Sequence, residues 1–152
     1  MAVSRTFTQF QARMEIRATE VGVNLTKAMK KVAKAVDQTV VLATPVDTGR
    51  ARSNWLGSLN SPRNDEIEPY AEGKGLGLGE SANAAGAIAQ ASSVIDKFKL
   101  DNTIFIQNNV DYIQDLNAGP PQGSEQAPKN FVQRAIVVAA EAIKGIRIFR
   151  VK

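Results

Sequence analysis

The chain contains no cysteine and no histidine. These two absences exclude thiol nucleophiles, disulfides, Ser-His-Asp and Cys-His catalytic pairs and the usual zinc ligands, so any metal would have to be held by oxygen ligands alone. Aromatic residues are scarce at 6%, with a single tryptophan, whereas the hydrophobic fraction of 43% is ordinary and alanine supplies much of it. That balance predicts thin helices packed closely in place of a large aromatic core. Long apolar runs are missing too: none approaches the ~18 residues needed to span a bilayer. The opening stretch MAVSRTFTQFQARMEIR sets single apolar residues among polar and charged ones and lacks the apolar segment of a secretory signal. No membrane contact is expected, and the cytoplasm is the expected site of assembly. At 152 residues and 16.4 kDa the chain fits one domain spanning 1–152, large enough to bury a core without disulfides or metal. The net charge of +4 is mild and is more informative by its placement than by its size.

Residues 8–43 read as a long helix. Leu25, Ala28, Met29, Val32, Val36, Thr39, Val40 and Ala43 share one stripe at helical spacing, and Lys27, Lys30, Lys31 and Lys34 project from the other side. Gly22 marks a candidate bend. Pro45 stops the helix, and Asp47 and Gly49 supply turn chemistry. Residues 52–59 then alternate as a strand would, with Ser53, Trp55, Gly57 and Leu59 on one face. Residues 60–80 combine prolines, charges and alternating glycines and read as a long mobile loop. A second helix is expected over 81–98, with Ala84, Ala87, Ile88, Ala91, Val94, Ile95 and Phe98 inward, and a central strand over 103–107. Asn109 is a candidate cap for a short helix through Tyr112 and Leu116, and residues 117–127 form a second extended loop. Pro128 suits the first turn of a further helix whose inward stripe is Val132, Ala135, Ile136, Ala139 and Ile143, with Gly145 as its C-terminal cap. Residues 146–151 read as a last strand. The expected class is α+β: a long N-terminal helix and two further helices on a small, mainly antiparallel sheet, with long loops.

Asp47-Thr48-Gly49 carries the three letters of the aspartic-protease loop. That chemistry needs two carboxylates sharing a proton, so a chain with one such motif would have to dimerise, and those folds are almost wholly β. Here the motif follows a helix stopped by Pro45 and precedes Arg50-Ala51-Arg52. It therefore reads as a structural turn formed by Pro45, Asp47, Thr48 and Gly49, in which Asp47 accepts backbone hydrogen bonds and aims Arg50 and Arg52. The glycine run at 73–79 is followed by Glu80, not by the Lys-Ser/Thr of a phosphate-binding loop, and its spacing misses the dinucleotide fingerprint. It reads as a loop able to order against a neighbouring subunit. The lysine stripe is open to three readings: a solvated face, phosphate binding, or pairing with an acidic partner. Trp55, Tyr112 and Phe131 divide between core packing and interface anchoring.

Three segments carry a resemblance in their order and spacing: TPVDTGRARSNW at 44–55, IFIQNNVDYIQDLNAG at 104–119 and QAPKNFVQRAI at 126–136. Together they resemble the neck or tail-completion proteins of long-tailed bacteriophages, a group that includes the minor tail protein Z type. The first matches at Pro45, Val46, Asp47, Thr48, Gly49, Arg50, Ala51 and Arg52, followed by Asn54 and Trp55. The second matches at Asn108 or Asn109, Tyr112, Leu116 and Gly119, with Asn117 where the family has Glu. The third matches at Gln126, Ala127, Pro128, Phe131 and Val132, with Asn130 where the family has Gly. The resemblance implies a structural virion protein that performs no reaction and takes no cofactor. It would sit in a ring, a hexamer matching the tail, between the tail tube or its terminator and the head connector, after assembly in the host cytoplasm. On that reading Arg50, Arg52, Trp55, Tyr112, Leu116, Gly119, Gln126, Pro128 and Phe131 contact partners, loops 60–80 and 117–127 reach neighbouring subunits, and Lys27, Lys30, Lys31 and Lys34 face DNA, the tape-measure protein or an acidic connector surface. A DNA-binding accessory protein of packaging or morphogenesis is the alternative.

Overall fold

A computed structural model describes the backbone of residues 2–73 and 79–148 and the side chains of residues 8–73 and 79–148. Among these residues the chain forms, in order, α1 (Ala2–Ala43), α2 (Arg50–Ser53), β1 (Leu56–Leu59), α3 (Glu80–Ile95), β2 (Ile104–Gln107), α4 (Ile113–Ala118) and α5 (Phe131–Ala142). The class is α+β, as expected. Helix α1 runs unbroken through Gly22, because one glycine costs only about 1 kcal/mol in a helix already nucleated on both sides. At ~1.5 Å per residue it extends about 63 Å, and residues 8–20 are exposed throughout.

The C-terminal half of α1 packs on α5 on one side and on α3 on another. This widens its inward face beyond the single expected stripe: Ala33, Asp37 and Val41 are buried along with Ala28 and Val40, whereas Met29 is exposed. One cluster joins Val40 and Val41 to Trp55, Ala84, Ala87, Ala127, Phe131 and Ala135; a smaller one joins Ala33 to Ala91 and Ile95 beneath the sheet. Alanines provide the close approach that the composition predicts. On α5 the buried line is Phe131, Ala135 and Ala139. Ile136 and Ile143, expected inward, are 65% and 45% exposed, because α5 meets α1 along its alanine edge.

The sheet has two antiparallel strands, in the register Leu56↔Gln107 through Leu59↔Ile104. Among the described residues β2 therefore has one strand partner and is not central. The ladder continues past its end through a side chain: Asn60, at φ +67, donates its N–H to Thr103 O at 2.8 Å, and Asn60 Oδ1 accepts from Thr103 N at 3.0 Å. The strand expected over 52–59 survives only from residue 56. Its first part is α2, because residues 51–57 are all buried and alternation cannot describe a segment enclosed on every side. The final strand is absent from residues 146–148, and 149–151 lie outside the described residues.

Residues 60–73 have no helix or strand, yet they are held. Gln107 Oε1 accepts from Arg63 N at 3.0 Å while its amide also donates to Arg63 O. Asn54 pairs with Ile67 N and O at 2.7 and 2.9 Å, and Asn83 with Ala71 N and O at 2.9 Å each. Gln90 does the same for Gly57 at 2.8 and 3.1 Å, tying α3 to β1. A carboxamide presents one donor and one acceptor at the spacing of a peptide group, so each clamp satisfies both backbone groups of one residue. Residues 60–73, expected to lie in a long loop, are thus tied to β2, α3 and the corner by side chains; residues 74–78 lie outside the described residues.

Asp37 is 1% exposed on α1, and its Oδ1 has no hydrogen-bond partner among the described residues. Burial raises its pKa from the ordinary 3.8 to about 7. Between those values the folded chain holds a proton that the unfolded chain has lost, so this group makes stability fall as pH rises from about 4 to 7. Asp37→Asn is expected to stabilise the protein by about 2–4 kcal/mol at pH 8 and to change little at pH 4. Urea unfolding at the two pH values tests this, and a difference independent of pH would contradict it.

Candidate functional site

The corner after α1 is organised by Thr44. Its Oγ1 donates to Val40 O at 2.7 Å and accepts from Trp55 Nε1 at 2.8 Å. Its carbonyl accepts from Arg52 Nε at 2.8 Å and Nη2 at 2.5 Å, and Arg52 Nη1 bonds Glu80 Oε1 at 2.8 Å. A buried guanidinium thus caps the last carbonyls of the long helix, where the helix dipole is negative. Gly49 turns the chain into α2 at φ +84, and a Cβ there would lie 2.2 Å from Asn83 Nδ2. Both the backbone angle and the close approach demand glycine.

Asp47 behaves differently from expectation. It is exposed and accepts no hydrogen bond among the described residues; the local contact is Arg50 N to Thr48 Oγ1 at 3.4 Å. Arg50 and Arg52 are positioned by other groups. Arg50 reaches outward to Glu66, with Nε and Nη2 at 2.9 and 2.5 Å from Oε2, and this carboxylate holds the guanidinium more firmly protonated. Arg52 turns inward and its side chain is 4% exposed.

The corner forms one wall of a cleft of about 520 Å³. Residues 45–51 face Tyr112, Leu116, Ser124 and Gln126 across it. Tyr112 is partly desolvated, which raises its phenol pKa. Behind the cleft Trp55 and Phe131 pack edge to face, with centroids 6.4 Å apart at 79°. The segments 44–55, 104–119 and 126–136 are joined by further bonds. Asn108 Nδ2 donates to Ala51 O at 2.7 Å, Asn130 N donates to Asn117 O at 2.7 Å, and Asn117 Oδ1 accepts from Val132 N at 2.9 Å, capping α5. Asn130 takes φ +58, a left-handed angle that asparagine tolerates better than most residues with a side chain. Asn109, expected to cap α4, instead holds Arg63 O and Asp65 O at 3.0 and 2.9 Å.

Of the residues expected to contact partners, Arg50, Tyr112 and Gln126 are exposed, while Leu116 and Pro128 are half-buried. Arg52, Trp55, Gly119 and Phe131 are buried within the chain. The lysines lie elsewhere: Lys27 and Lys31 are exposed, Lys34 pairs with Asp96 at 2.7 Å, and Lys30 Nζ donates to Asp96 O at 2.6 Å. Clusters of three or more acidic residues suited to a metal do not occur among the described residues. Sequence reasoning missed the clamps of Asn54, Asn83 and Gln107, since a carboxamide announces nothing of its tertiary partner. Comparison of the chain with protein-family models, with curated proteins and with solved structures gives no match.

Arg52→Ala is expected to cost about 2–4 kcal/mol, because it strips the carbonyl of Thr44 of a buried charged donor. Arg50→Ala, on an exposed pair, is expected to leave stability unchanged. Denaturant midpoints for the two variants test the distinction, and equal losses would contradict it.

Proposed function

We propose that the chain is a structural subunit of the neck of a long-tailed bacteriophage, which completes the tail and joins it to the head connector as a member of a ring. One observation carries the reading. The three separated segments that resemble tail-completion proteins each contribute lining residues to one cleft, and the departures Asn117 and Asn130 join the second segment to the third through a backbone bond. Such a constellation suits a docking surface: Arg50 stands exposed on one side of the cleft and Tyr112 and Gln126 on the other, on backbone that the fold already positions, so little ordering entropy opposes a partner. The ring is the assembly that the resemblance implies, with the tail terminator and connector proteins above and below it.

A DNA-binding accessory role is the second reading. It draws on the lysines of α1, to which the fold adds Lys97 and Lys99 just beyond α3. Such clustering favours polyanions through counterion release.

Particles assembled without this protein are expected to accumulate as filled heads and separate tails in electron micrographs. The double variant Tyr112→Ala, Gln126→Ala, supplied in place of the native chain, is expected to reduce joining while remaining folded by circular dichroism. Joined virions in the complete absence of the protein would remove the neck role.

A further inference from the structure

Two oppositely charged surfaces lie at different ends of α3. Beside its N-terminal half, residues 66–72 run as a ridge, bent at residues 70–71, with period-two exposure: Glu66, Glu68, Tyr70 and Glu72 face solvent, and Ile67, Pro69 and Ala71 are half-buried. The inward residues are pinned, Ile67 by Asn54 and Ala71 by Asn83, and Tyr70 N donates to Ser53 Oγ at 3.3 Å. The Tyr70 ring lies over Gly86 of α3, where a Cβ would come within 2.3 Å of it, yet the residue keeps 44% of its surface exposed. Glu66 is engaged by Arg50, whereas Glu68 and Glu72 make no ion pair among the described residues. The result is a preformed acidic ridge with an aromatic edge.

Past the C-terminus of α3 lies a groove of about 540 Å³ between α1 and residues 98–100. Its floor is apolar, with Val23 and Leu100 about half exposed and Phe98 beneath them, and its rim carries Lys27, Lys30 and Lys99. Lys31, Lys34 and Lys97 extend the positive surface, against which stand Asp96 and Asp101. A rim of this kind attracts any polyanion, but the apolar floor offers nothing to a phosphate backbone. It suits a segment that brings carboxylates together with a nonpolar or aromatic side chain.

We propose that this groove receives the acidic ridge of a second copy of the chain, Glu68 and Glu72 meeting the lysine rim and the exposed edge of Tyr70 covering Val23 and Leu100. The two surfaces do not overlap: from Gly86, beneath Tyr70, to Ile95 at the end of α3 is nine residues, about 14 Å at ~1.5 Å per residue. Their union is head-to-tail, the type of contact that closes into a ring when the rotation permits. Because the ridge is held before docking, association does not have to order it. The inference deepens the ring-forming reading by naming the faces that join.

Analytical ultracentrifugation of the full chain tests it. Self-association is expected to increase with concentration and to weaken as salt rises. Lys27→Glu with Lys99→Glu, and separately Glu68→Lys with Glu72→Lys, are each expected to weaken association by about tenfold or more. An equimolar mixture of the two double variants is expected to associate again, because each then meets a complementary face; this recovery also shows that both variants fold. A native chain that stays monomeric at low salt, or association indifferent to both reversals, would overturn the proposal. So would loss of binding to a 20-base-pair DNA duplex in the lysine variant with self-association intact. A chain that associates through these faces yet leaves heads unjoined retains the interface and loses the neck role; joining without this association does the reverse.

Discussion

The bond from Arg52 to the carbonyl of Thr44 governs most of the geometry beyond residue 44. A helix about 63 Å long ends with carbonyl groups that lack intrahelical partners, and here Val40, Val41 and Thr44 at that end are buried. The guanidinium supplies the missing donors, and its remaining nitrogen reaches Glu80 at the start of α3. The indole of Trp55 fixes the hydroxyl of the same threonine. Three elements are thus oriented by one residue, and the cleft beside the corner inherits its shape from that arrangement. The desolvation cost of the arginine is offset because its polar contacts go to groups that would otherwise be unsatisfied.

A second device extends order where helices and strands stop. Asn54, Asn83 and Gln107 each pair with both backbone groups of one loop residue, so backbone that would need solvent is satisfied by side chains, and Gln90 does the same for Gly57 of β1. The consequence is functional. Residues 66–72 are presented as a shaped surface, and the wall formed by residues 45–51 is equally constrained. With a two-stranded sheet among the described residues and an alanine-rich core, the chain relies on polar clamps for definition that larger side chains would otherwise provide.

Much of the fold was legible in the sequence. Helical periodicity located α1 and α3 within a few residues, Pro45 marked the corner, and a β-branched run located β2. What escaped was enclosure. Residues 51–57 alternate in sequence, yet they are buried on all sides, so the pattern of one half-exposed strand does not apply. Ile136 looked inward by spacing but lies off the edge along which α5 meets α1. Asp47 drew notice for its motif, whereas the buried carboxylate is Asp37, concealed within a helix face that packs on two neighbours at once. Of the candidate site, Tyr112, Gln126 and Arg50 were identifiable as residues, but their common cleft was not, since more than sixty positions separate the corner from Tyr112.

The sequence by itself determined where the helices run, where proline ends the first of them, that a turn follows it at Asp47 and Gly49, and that thiol and imidazole chemistry are absent. These follow from local sterics, periodicity and composition, which depend only on near neighbours along the chain. Tertiary structure alone decided that Arg52 turns inward while Arg50 turns out, that carboxamides hold a loop in place, and that an acidic ridge and a lysine-rimmed groove stand at different ends of one helix. Those outcomes depend on which distant backbone groups lack partners, and such a shortage exists only once the chain has folded.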